Sequence, residues 1–145
     1  MNIKHEFPPN FEAIKAKLPI TEANIYCYDS TLYVPFRQEV PEDVMIHEEK
    51  HVEQQKGEPV VWWERYLNDP GFRLEMELEA YVAQYKWIKD NYTAKGAKLA
   101  LDELSSNLEK CYNLDISNDR AATLIRKNLA TELSPPYSES VKTVL

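Results

Sequence analysis

Two of the chain's three histidines stand four residues apart, with a glutamate directly after the first, in the run His47-Glu48-Glu49-Lys50-His51. Imidazoles at that spacing occupy neighbouring turns of one helix face, from which both can reach a single metal ion. At about 100° per residue, Val44, His47, Glu48, His51, Val52 and Gln55 fall within one arc, with Glu49, Lys50, Glu53 and Lys56 on the other side. The pattern predicts a helix whose inward face carries His47 and His51 as metal ligands and Glu48 beside them as a carboxylate base. Glu49 projects outward and should be dispensable. The competing reading is a solvated, charged helix on which both histidines are ordinary polar residues; the single arc and the clean helix signals around it favour the metal.

A catalytic zinc centre takes three protein ligands and keeps one position open for water, so two histidines leave a ligand to find. Cys27 and Cys111 sit in contexts that read as core, and His5 lies in an N-terminal segment that reads as mobile and inert. The run Arg73-Leu74-Glu75-Met76-Glu77-Leu78-Glu79-Ala80-Tyr81 holds three acids at alternate positions, which a helix cannot turn to one side. Projection puts Glu75 and Glu79 with Lys86 and Asp90 on a charged seam, and Glu77 on the opposite seam near Arg73 and Gln84, between two apolar faces. A carboxylate buried there needs a cation. Arg73, four residues earlier, supplies one as an ion-pair partner; a metal supplies another, and the two are compatible. Glu77 is thus the preferred third ligand, with Asp69, Glu75 and Glu79 as alternatives.

His47-Glu48-x-x-His51 followed, after a break, by Glu77-x-x-Ala80 on a second helix resembles the gluzincin metallopeptidases, over roughly Asn24 to Asn91. The resemblance implies one zinc ion per chain on His47, His51 and Glu77, Glu48 as general base, a hairpin over the cleft, and a peptide or protein substrate. In length the chain is similar to the compact HExxH proteins encoded by bacteria and their phages. The metzincin pattern is excluded, because Gln54 and Gly57 stand where it needs glycine and histidine. One departure concerns Tyr81: many gluzincins carry there an aspartate that hydrogen-bonds a ligating histidine, and a phenol is a weaker acceptor. Tyr66, Tyr81 and Arg73 are the possible donors to a developing oxyanion. Two other functions fit the same residues. One is a noncatalytic, zinc-stabilised structural or host-interaction protein, for which Glu48 would be superfluous; the other is a metal-free helical binding protein, which makes the histidine spacing accidental.

The elements that must position these groups predict an α+β fold, mostly helical and zincin-like, with a small antiparallel hairpin before the motif helix. Asn10 is placed to cap a helix from Phe11 to about Leu18. Asn24 to Tyr28 and Leu32 to Phe36 read as the hairpin strands, the second an exposed edge on account of Pro35 and therefore able to pair with an extended peptide. Pro41 opens the motif helix, and Gly57 with Pro59 closes it. Val60 to Asn68 reads as a short helix, Pro70-Gly71 as a break, and Phe72 to about Asn91 as a long helix. Trp62, Trp63 and Tyr66 read as core rather than pocket wall. Two further helices between about 96 and 130 read as core packing, and the segment 134–145 as an irregular tail.

At 145 residues with 43% hydrophobic content the chain is expected to form one domain. A net charge of -7 argues against nucleic acid and anionic membranes as partners, since both select basic surfaces. No stretch near the start reads as a signal peptide and no apolar run is long enough to span a bilayer, so a cytoplasmic location is expected.

Overall fold

A computed structural model describes residues 1–132; the tail expected from Ser134 lies outside them. The elements, in order, are β1 (Asn2–Lys4), α1 (Phe11–Lys17), β2 (Tyr26–Tyr28), β3 (Thr31–Tyr33), α2 (Glu42–Gln55), α3 (Pro59–Asn68), α4 (Pro70–Asn91), α5 (Ala94–Lys110) and α6 (Asn118–Glu132). The fold is a mostly helical α+β arrangement with a small three-stranded sheet.

The sheet is mixed rather than purely antiparallel. β2 and β3 form the expected hairpin, turning through Asp29 and Ser30, with Asp29 in the left-handed region at φ 56°. A short aspartate tolerates that conformation in a tight hairpin turn. The N-terminal β1 then pairs in parallel with β3, Ile3 opposite Leu32. β3 is therefore the central strand, and the expectation that Leu32 to Phe36 offers an exposed edge is overturned. The N-terminal segment is also pinned rather than loose, with the His5 imidazole Nδ1 3.3 Å from the Val34 carbonyl oxygen.

Helix boundaries follow local chemistry. Pro41 precedes α2, whose end is fixed by Lys56 at φ 50° and Gly57 at φ 72°, a left-handed exit that glycine makes without steric cost. Pro70 and Gly71 do not break the chain as the sequence suggested; they form the first turn of α4. Proline needs no amide hydrogen at that position, and the Asp69 carboxylate accepts from the Phe72 amide at 3.1 Å. Asn10 precedes α1 but makes no side-chain cap.

Two apolar clusters form the core. One joins α4, α5 and α6 through residues such as Ile88, Leu101, Leu108 and Ile125. The other joins α1, the hairpin and α3 through Ile14, Tyr26, Trp62, Trp63 and Tyr66. α2 packs along α4. Gln55, 2% exposed at the end of α2, donates from Nε2 to the Cys27 carbonyl at 3.0 Å and accepts from the Asp29 amide at 2.6 Å, clamping the hairpin to the motif helix. Among the described residues no helix is long and apolar enough to cross a membrane.

Candidate metal centre

The α2 arc faces inward as the periodicity predicts: His47, Glu48, His51 and Gln55 are its buried residues. From α4, Glu77 is 2% exposed, whereas Glu75 and Glu79 are on the solvent side. The Glu77 carboxylate bridges the two imidazoles, Oε1 lying 3.1 Å from His47 Nε2 and Oε2 3.2 Å from His51 Nε2. His47, His51 and Glu77 are the one group of potential ligands found among the described residues, with one ligand atom from each inside a 4.8 Å span. Asp69 is spent on capping α4 and ion-pairs with Arg65 across 3.7 Å.

What turns the imidazoles toward Glu77 is a pair of amides the sequence reading did not assign. His47 Nδ1 is 3.0 Å from Gln84 Oε1, and His51 Nδ1 is 2.8 Å from Gln54 Oε1. Each amide is oriented by its own donor: Gln84 Nε2 donates to Asp43 Oδ2 at 2.8 Å, and Gln54 Nε2 to the Met76 carbonyl at 3.0 Å. With the amide nitrogens committed, the oxygens must face the imidazoles, so both Nδ1 atoms carry the proton. Each neutral imidazole then aims its Nε2 lone pair at the carboxylate. Two lone pairs and an anion converging on one space require a cation there, either a proton or a metal. The contacts of 3.1 and 3.2 Å match the ~3.3 Å edge of a tetrahedron with ligands ~2.0–2.1 Å from its centre. The residues fit a metal ion.

In the metal-free state the cation is a proton. Burial disfavours a charged His51, but the Glu77 carboxylate overrides it and pushes the imidazole up to about 9. Burial likewise opposes ionised Glu77, yet His51 and the contacts to both histidines hold its carboxyl far below the usual range. A metal must displace that proton, so below about pH 9 its apparent affinity should rise about tenfold per pH unit and level off above. Chelator-competition titrations from pH 6 to 10 measure the slope; a flat profile would show that His51 is not a ligand. Replacing Gln84 or Gln54 by leucine should lower metal affinity about 10–100-fold, the usual cost of losing such an orienting partner.

Two of the other predicted groups have different duties. Arg73 does not meet Glu77. Its Nε donates to the Tyr112 carbonyl at 2.8 Å, Nη1 to those of Tyr66 at 2.8 Å and Leu67 at 3.4 Å, and Nη2 to that of Asn113 at 3.3 Å. Four of its five N–H donors thus tie the end of α3 to the chain after α5. Tyr81 does not hold a histidine Nδ1 either; its ring packs against His47 and its hydroxyl lies 2.6 Å from that of Tyr112. Tyr66 donates to Glu77 Oε2 at 2.6 Å. Burial first, then the Glu77 charge, raises the phenols of Tyr66, Tyr81 and Tyr112 and keeps them protonated.

A cavity of about 270 Å³ opens beside the centre, lined by His47, Glu48, His51 and Glu77 together with Trp62, Trp63 and Tyr66. The aromatic residues of α3 are core and cavity wall at once. Gln54 and Gln84 could have been found from spacing alone, three residues after His51 and seven after Glu77 on the same helix faces; Tyr112 is distant in sequence and left no such signal. Comparison of the chain with protein-family models, with curated proteins and with solved structures finds no match, so the functional reading rests on the atoms of the site itself.

Proposed function

We propose that the protein is a zinc-dependent peptide hydrolase of gluzincin-like type, with His47, His51 and Glu77 holding the metal and Glu48 as general base. The observation that carries this is Glu48. Its side chain is 7% exposed, lines the cavity next to both histidines, and makes no hydrogen bond or ion pair among the described residues. Burial raises its carboxyl, the charges of His47 and His51 pull the other way, and Glu77 raises it further. A carboxylate that is 7% exposed and faces the cavity with no hydrogen-bond partner is costly to hold there, and a centre that only braces the fold has no use for one.

When bound, the metal supplies Lewis acidity, which polarises a carbonyl and acidifies water. In this reading Glu48, which lines the same cavity as the ligands, takes the proton that water loses and returns it to the departing amine. Arg73 is committed to backbone carbonyls and Tyr66 to Glu77, which leaves Tyr81 with Tyr112 as the donors to a developing oxyanion. The edges of the sheet are β1 and β2, not β3, and Asn24 to Cys27 line the cavity; the Cys27 carbonyl and Asp29 amide are taken by Gln55 and Trp63, so an extended peptide would pair just before β2, at Ile25.

Protein prepared without chelator should contain about one zinc per chain and generate new termini in a mixed peptide pool read by mass spectrometry. A chelator should stop cleavage and zinc restore it. Zinc uptake that raises the melting temperature without any cleavage would instead support the structural, noncatalytic reading, and failure to take up metal would remove both.

A further inference from the structure

Glu77 receives one hydrogen bond that neither histidine supplies. The Tyr66 hydroxyl stands 2.6 Å from Glu77 Oε2, the length of a charge-assisted bond from a hydroxyl to a carboxylate. Tyr66 has to be the donor, because its phenol stays protonated and an ionised carboxylate only accepts. The side chain also has little freedom to leave. Tyr66 is 3% exposed, its ring stacks on Trp62 with centroids 4.8 Å apart, and it meets Trp63 edge-on at 5.1 Å. Its carbonyl accepts from Arg73 Nη1 at 2.8 Å. With ring and backbone both fixed, the hydroxyl is delivered to one oxygen of Glu77.

The two carboxylate oxygens are therefore unequal. Oε1 meets only His47 Nε2, at 3.1 Å, whereas Oε2 meets His51 Nε2 at 3.2 Å and the Tyr66 hydroxyl as well. A metal entering the centre displaces the proton held between His51 and Glu77, and both Nε2 atoms then present lone pairs to the ion. Tyr66 is from that point the one hydrogen-bond donor to Glu77 among the described residues. Such a bond draws charge out of the oxygen that accepts it, which leaves Oε1 the stronger ligand. The coordination number follows. One carboxylate oxygen, two imidazoles and a water make the four-coordinate shell that zinc prefers. Both oxygens would enlarge that shell toward the coordination of harder ions such as manganese.

We propose that Tyr66 is a positioning residue that makes Glu77 a one-oxygen ligand and so selects a four-coordinate ion over one that demands a larger shell; this rests on the metal-holding part of the proposed function and not on peptide cleavage.

The test uses full-length wild type, Tyr66→Phe and Tyr85→Phe, each stripped with chelator and titrated with zinc, manganese and cobalt. Tyr66→Phe keeps the stacked ring and removes only the hydroxyl. Tyr85→Phe removes the hydroxyl of a buried tyrosine in the other core cluster and reports general loosening. Comparing the zinc-to-manganese affinity ratio of variant and wild type cancels the intrinsic preference of such a site for zinc. That ratio should fall at least about tenfold in Tyr66→Phe, the lower end of the usual cost of losing an orienting partner, and hold in Tyr85→Phe. Cobalt should give the intense visible absorption of a tetrahedral ion in the wild type and the weak absorption of a larger shell in Tyr66→Phe. Should Tyr66→Phe fold poorly, 3-fluorotyrosine at position 66, a stronger donor of nearly the same shape, should raise the ratio instead. An unchanged ratio or an unchanged cobalt spectrum in Tyr66→Phe would overturn the proposal and leave the metal centre standing. An equal loss of affinity for both metals would do the same, since it marks a side chain that only braces the fold. Failure of the wild type to take up any metal would remove the centre and the proposal together.

Discussion

Glu77→Ala should leave the protein unable to retain zinc under conditions in which Glu75→Ala and Glu79→Ala retain about one equivalent each. Glu77 supplies the only anionic ligand, and the two imidazoles that remain are held on one helix by amides, with nothing opposite them. Losing one partner of a buried charged set typically costs about 3–5 kcal/mol, and a loss of that size is about two to four decades in metal affinity. The same substitution acts on the metal-free protein. His51 and Glu77 shift in opposite directions because each is the other's partner, so the pair is counted once, at about 3 kcal/mol. The sign is set by both ends. A raised imidazole stabilises fully below its ordinary 6.5 and loses that contribution as pH rises through about 9. A depressed carboxyl stabilises above its ordinary 4.5 and loses that as pH falls. The chelated wild type should therefore exceed Glu77→Ala in stability most between about pH 4.5 and 6.5, with the difference shrinking by pH 9. Denaturant titrations across that range check it; a constant gap would mean that Glu77 acts through packing.

How much of this was legible in the sequence depends on whether the signal was local. The inward arc of α2 and the choice of Glu77 over Glu75 and Glu79 came from helix geometry alone, since spacing around a helix fixes which side chains share a face. Arg73 shows the limit of that reasoning. The spacing of four that could pair it with Glu77 is real, but the guanidinium found carbonyls at Tyr112 and Asn113, some forty residues on, and no local pattern announces such partners. β1 was missed for a related reason. Three exposed residues carry no apolar alternation, and their contribution is made by backbone bonds to β3. That one strand covers β3 and leaves β1 and β2 as the edges, so of the two hairpin strands only β2 remains where an extended peptide could pair.

The amides behind the histidines separate this centre from one braced by carboxylates. Gln54 and Gln84 fix the tautomers without adding charge, and the nearest anion behind His47, Asp43, stands one residue further back, bonded to Gln84. Neutral acceptors raise the basicity of an imidazole less than a carboxylate does, so Glu77 would be the principal negative charge on a metal held there. A metal with less charge donated to it would be the stronger Lewis acid, which under the proposed function would favour chemistry over mere retention.

Glu48→Gln should retain zinc in full and lose about 10²–10⁴-fold in kcat/KM, the usual range for a positioned general base. Glutamine keeps the shape of the side chain and its place in the arc, and Glu48 is not one of the three clustered ligand residues, so metal content should not change. Stability should be equal or higher, because a buried carboxylate with no hydrogen-bond partner is replaced by a neutral group. A base works only when deprotonated, so with zinc kept saturating at every pH wild-type activity should fall as pH drops through the Glu48 titration, and the residual activity of Glu48→Gln should lack that acid limb. Together these outcomes separate a proton acceptor from a structural residue: the latter would change zinc content or melting temperature along with rate. Full activity in zinc-loaded Glu48→Gln would remove Glu48 from the mechanism, and with it the strongest reason to read the centre as catalytic.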